Sequence, residues 1–103
     1  MYKISFYVPK SYAETVKEAM FKAGAGKIGH YSRCAWQVSG EGQFMPLEGS
    51  QAFIGEKNKL EKVAEYKVEM ICAEEYILDV VSALKKAHPY ETPAYYITRC
   101  EVF

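Results

Sequence analysis

The residues able to do chemistry in this 103-residue chain gather in two short stretches. Near the C-terminus, Ala87-His88-Pro89-Tyr90-Glu91-Thr92-Pro93 sets an imidazole, a phenol and a carboxylate close together. His88 with Glu91 has the donor types of a metal pair or an acid–base pair. The same residues suit a corner lock, in which the imidazole bonds nearby backbone or carboxylate and orders the entry to a strand. The lock is the expectation, because a metal ion usually needs a third or fourth protein ligand. Pro89 and Pro93 lack an N–H and disfavour the α region before them, so His88 and Thr92 are predicted extended.

The second stretch is Gly24-Ala25-Gly26-Lys27-Ile28-Gly29, followed by His30 and Cys34. It spells G-x-G-x-x-G, but a dinucleotide fingerprint must follow a strand and open a helix. Here it follows a helical pattern and leads into Tyr31 to Val38, predicted as a strand, so loop-forming glycines are expected. Lys27 could meet an anionic ligand in such a loop. On a strand, His30, Cys34 and Trp36 would share a face, since residues an even number apart point the same way. If that face met the Pro-Tyr-Glu corner, His30 and Cys34 would join His88 and Glu91 around a polar pocket. Cys34 lacks an activating partner, so nucleophilic catalysis is not expected.

These stretches need elements to hold them. Tyr2, Ile4, Phe6 and Val8 alternate with Lys3, Ser5 and Tyr7, a half-buried strand pattern that Pro9 ends. Ser11 and Glu14 match a capping box. Ala13, Val16, Ala19, Met20 and Ala23 follow at helical spacing, with Gly24 as the stop. Gly40-Glu41-Gly42 reads as a turn or bulge in a bent ribbon, and Pro46 to about Asn58 as an irregular functional or interface loop. A strand is predicted from Glu65 through Cys72, and a second helix carries Ile77, Val80, Val81, Leu84 and Ala87 inward. Ala94 to Val102 reads as the last strand. The order predicts one α+β domain over 1–103 with a ferredoxin-like split βαβ plan: an antiparallel sheet with both helices on one face. The other face is left needing a partner, and a homotrimer is expected, with a dimer as runner-up.

Composition narrows the function. Lys+Arg and Asp+Glu balance at 13 each, which gives no electrostatic case for nucleic acid or an anionic membrane. No apolar run approaches membrane-spanning length. Three cysteines without a C-x-x-C suggest reduced thiols in a cytoplasmic protein. Fifteen per cent aromatic residues, nine of them tyrosine, point to broad aromatic contact surfaces.

Taken together, Gly24 to Trp36, Gly40-Glu-Gly-Gln-Phe-Met-Pro with Ile54-Gly downstream, and His88-Pro-Tyr-Glu-Thr-Pro-Ala-Tyr resemble the inserted domain of the Nif-three-like (YqfO-like, dinuclear metal centre hexameric) family. That insert is similar in fold to the PII and CutA proteins, ferredoxin-like trimers with ligand sites between subunits. The resemblance implies a stand-alone PII/CutA-like module. The family's two-metal site lies in flanking domains, so its metallohydrolase activity is not implied for this chain. The resulting expectation is a non-enzymatic regulatory module, without a resident cofactor, binding a small molecule or partner protein through Lys27, His30, Cys34, His88, Tyr90 and Glu91. The alternative is a divalent-metal protein or small metal-dependent enzyme using His30, Cys34, His88 and Glu91, with His30, His88 and Glu91 as the candidate metal ligands and a single divalent ion as the cofactor.

Overall fold

In the computed structural model, which describes residues 1–103, period-2 and period-3.6 patterning become six elements. They are β1 (Tyr2–Pro9), α1 (Ala13–Lys22), β2 (Trp36–Phe44), β3 (Glu61–Cys72), α2 (Ile77–Ala87) and β4 (Tyr95–Arg99). The sheet order is β2-β3-β1-β4 with every pairing antiparallel, the split βαβ arrangement.

Register assigns the two faces. Ile4, Phe6 and Val8 lie opposite Met70, Val68 and Tyr66. These side chains enclose a core with Val16 and Met20 of α1 and Val80 and Leu84 of α2. Burying one such side chain contributes roughly 1.5–3 kcal/mol, so this layer carries the fold. Intervening residues face away: Trp36 and Val38 of β2, Glu65 and Glu69 of β3, Tyr7 of β1 and Tyr96 of β4. No helix covers that side, and Trp36 is 60% and Tyr96 63% exposed.

Several local expectations are corrected. Ser11 makes no cap: a 3-10 turn over Lys10–Tyr12 precedes α1, and Glu14 pairs instead with Lys17 at 2.7 Å. The turn preference of the Pro9-Lys-Ser segment prevails over the capping box. The second strand begins at Trp36 rather than Tyr31. Before it, Ile28 and Tyr31 exchange two backbone hydrogen bonds and close a tight turn. The turn or bulge expected at Gly40–Gly42 is absent, since β2 runs through it. Gly24, with φ +123°, does stop α1. No helix is long and apolar enough to cross a membrane.

Candidate functional site

Strand alternation puts Glu65 on the uncovered sheet face, yet the residue is only 8% exposed. A buried carboxylate needs hydrogen bonds or a counter-charge. The Tyr90 hydroxyl donates one hydrogen bond to Glu65 Oε2 at 2.9 Å. Room for this carboxylate comes from Gly42: a Cβ there would collide with Glu65 Oε1. A glycine inside a strand is the usual mark of such close approach.

Tyr90 is placed by the corner that precedes it. At the end of α2, His88 is extended (φ −70°, ψ 135°), as Pro89 requires. Its Nε2 lies 2.7 Å from the Tyr7 carbonyl oxygen, and its Nδ1 accepts from the Tyr90 backbone N–H at 3.1 Å. An N–H donor on one side and a carbonyl acceptor on the other define a neutral imidazole protonated on Nε2. Burial pushes the His88 pKa below its ordinary value, outweighing the Tyr7 carbonyl and the nearby Glu65, which favour the charged form. Both ring nitrogens are engaged by the protein, as in the expected lock.

Burial and then Glu65 push the Tyr90 phenol well above its ordinary 10, so Tyr90 donates and does not ionise. Its ring lies 5.7 Å from Phe44 and 6.5 Å from Phe53 between centroids. Phe53 belongs to the segment 45–60 that joins β2 to β3 and holds neither helix nor strand. Two bonds shape that segment. Asn58 N–H donates to the Pro46 carbonyl at 2.6 Å, closing its ends, and Gln51 N–H donates to Glu91 Oε2 at 3.1 Å. Sheet, corner and loop together border a half-open cavity of about 590 Å³, lined among others by Glu65, Tyr90, Glu91, Phe44, Phe53 and Ser50.

The other expected site residues are elsewhere. Lys27 is exposed, with Nζ 5.9 Å from the centre of the Tyr76 ring. His30 sits at the exposed tip of the Ile28–Tyr31 turn. The Cys34 backbone N–H donates to the Gly26 carbonyl, and Gly26 N–H donates in turn to Ile71. Ile71 and Glu65 stand six positions apart on β3, roughly 20 Å at ~3.3 Å per residue. Lys27, His30 and Cys34 thus mark one end of the sheet, and His88, Tyr90 and Glu91 the other. The pocket expected to unite His30 and Cys34 with His88 and Glu91 does not form within one chain. The reason is that residues 30–35 are loop, so strand alternation never applied to them.

Within one chain, no group of three or more His, Cys, Asp or Glu residues is placed to hold a metal ion. Of the two histidines, His88 has both nitrogens bonded and His30 lies at the far end of the sheet. Reading the sequence alone missed Glu65, Phe44, Phe53 and Ser50 as parts of the site. Gly42, a glycine within a strand, was the one signal pointing to a buried neighbour there.

Comparisons with known proteins agree with this architecture. No family model matches the chain. It is 46% identical over 95 residues to the GTP cyclohydrolase 1 type 2 homolog of Halalkalibacterium halodurans, covering 92% of this chain and 26% of that protein. A Bacillus cereus protein related to NIF3 superposes with TM-score 0.80 at 38% identity, over 93% of this chain and 24% of that one. The periplasmic divalent cation tolerance protein CutA from Archaeoglobus fulgidus superposes with TM-score 0.70 at 20% identity, over 100% of this chain and 87% of that one, a likeness of fold. The chain spans about a quarter of the length of the curated relatives it matches.

Proposed function

We propose that this chain, homologous to one segment of NIF3-related proteins and CutA-like in fold, is a non-enzymatic binding module that self-assembles through its uncovered sheet face. The observation that carries the reading is that face itself. It presents Trp36, Val38 and Tyr96 to solvent and ends in the cavity under segment 45–60. Exposed apolar surface of this kind calls for a partner, and a second copy of the chain is the simplest one. A closed trimer is the favoured assembly, with the cavity near a subunit cleft.

The cyclohydrolase named in the relatives belongs to proteins about four times as long. Nothing in the cavity has the arrangement of a nucleophile with an activating base. Tyr90 is held protonated, His88 is turned inward, and Glu65 is bound by Tyr90. A regulatory role, answering to a ligand held in the cavity, suits this set better than turnover. A cytoplasmic setting is in keeping with Cys34, Cys72 and Cys100, none of which is paired.

Light scattering coupled to size exclusion tests the proposal. A mass three times that of the 11.7 kDa chain is expected, and twice would indicate the dimer. A clean monomer at micromolar concentration would remove both the assembly and the intersubunit position of the site.

A further inference from the structure

The cavity beside Glu65 has a charge pattern that selects among ligands. Two carboxylates on its side of the sheet line it, from Glu65 and Glu91, and no lysine or arginine does. Glu65 forms no ion pair, although the chain makes six elsewhere. Its carboxylate receives a single side-chain hydrogen bond, from Tyr90, where a carboxylate has room for about four. A second group is also left open. Ser50 Oγ, in the same lining, is buried without a hydrogen-bond partner. Buried polar groups are ordinarily satisfied, so an unpartnered Ser50 Oγ beside a Glu65 carboxylate with acceptor capacity to spare points to a ligand that completes both.

The remaining wall is aromatic and aliphatic. The rings of Phe44 and Phe53 pack beside Tyr90, which holds the carboxylate, and Pro46, Leu47 and Ile54 extend the apolar surface. Ring faces attract cations, and aromatic walls beside a carboxylate are the usual surroundings of an ammonium group. The volume lies within the range of small-molecule sites, about 300–1,000 Å³.

We infer that this cavity binds a small organic cation: an ammonium group against Glu65 and the aromatic rings, with an apolar body lying along Pro46, Leu47 and Ile54. The inference rests on the binding-module reading and names its ligand class. Anions such as nucleotides and carboxylates are excluded by Glu65 and Glu91, with no lysine or arginine in the lining to offset them. In the complex the ammonium donates to Glu65 Oε1, the oxygen that Tyr90 leaves free, and Ser50 Oγ gains a partner.

Calorimetry on the full chain in its native assembly tests this with three probes of one shape: phenethylammonium, neutral 2-phenylethanol and anionic 3-phenylpropionate. Phenethylammonium is expected to bind at least about tenfold more tightly than 2-phenylethanol, and 3-phenylpropionate not at all; tenfold is ~1.4 kcal/mol. Amide shifts in NMR spectra should concentrate in residues 44–54 and 90–92. Glu65→Gln, near-isosteric, should erase the preference for the cation. If that variant fails to fold, Glu91→Gln should still reduce the preference severalfold. Equal binding of cation and neutral probe, preferential binding of the carboxylate, or shifts confined to the Lys27–Cys34 end would each overturn the inference. So would binding of none of the three. In all those cases light scattering still judges the assembly independently.

Discussion

His88 Nε2 donates to the carbonyl oxygen of Tyr7 at 2.7 Å, joining the end of α2 to β1 across 81 positions of sequence. Because Nδ1 accepts from Tyr90 N–H, one ring sets both the end of the helix and the position of the phenol that reaches Glu65. The corner is thus a structural device that builds the wall of a cavity.

Removing that ring should cost stability. His88→Ala strands the Tyr7 carbonyl and the Tyr90 N–H, a loss of roughly 1–3 kcal/mol for buried groups left unpaired. For a domain of this size each kcal/mol lowers Tm by roughly 4–8 °C, which thermal unfolding followed by circular dichroism reads directly. An unchanged Tm would leave the His88 bonds without structural weight.

The same residue makes stability depend on pH. Burial lowers the folded His88 pKa beneath the usual 6.5, so the unfolded chain takes up its proton at the higher pH. The stability that the neutral ring confers is therefore fully present above the unfolded value and declines as pH falls from about 6.5 through the folded value. The carboxylates of Glu18, Glu69 and Glu74 are lowered from 4.5 by hydrogen bonds to Arg33, Lys3 and Arg99 respectively, and their contribution is lost only at lower pH. Denaturant midpoints should thus fall between about pH 7.5 and 5.5 in the natural chain and change much less in His88→Gln. Equal pH dependence in both would assign the effect to other groups.

Gly42 and Glu65 should behave as a coupled pair. Gly42→Ala drives its new methyl into the Glu65 carboxylate, and moving that side chain breaks the Tyr90 bond. Overpacking of this kind costs roughly 1–3 kcal/mol. In a Glu65→Ala background the obstruction is gone, so the second substitution should be nearly free. A double-mutant cycle showing simple additivity would contradict the close approach.

The clasp on segment 45–60 can be tested apart from the core. Glu91 is exposed, and its Oε2 receives the Gln51 N–H. Glu91→Ala should speed hydrogen exchange at the Gln51 amide while leaving global stability within about 0.5 kcal/mol. Unaltered exchange there would mean that the loop is held by its Asn58–Pro46 closure alone.

Trp36 is the single tryptophan and lies on the uncovered face. If that face is the assembly surface, its fluorescence should shift to longer wavelength on dilution as copies separate. Trp36→Glu should give a monomer by light scattering, because a charge buried without a partner disfavours the interface. An assembly unmoved by Trp36→Glu would place the contact elsewhere.

By itself the sequence settled whatever depends on local periodicity. Alternation in Tyr2–Val8 and in Glu65–Cys72 chose the core face of the two central strands. The i, i+3, i+4 spacing of Val16 with Met20, and of Val80 with Leu84, chose the inner faces of both helices. The two prolines around Tyr90 announced an extended corner, and the order of elements implied the sheet. Tertiary structure alone decided what meets across long sequence separations. His30 and Cys34 sit in a loop closed by the Ile28–Tyr31 turn, so no strand period could place them. Glu65 looked like an ordinary solvent-facing strand residue until Tyr90, 25 positions later, and the segment around Phe53 closed over it. Periodicity reports which side of an element is wet in a single sheet or helix, whereas a cavity belongs to several elements at once. Its charge, walls and unfilled hydrogen bonds exist only after the chain has folded.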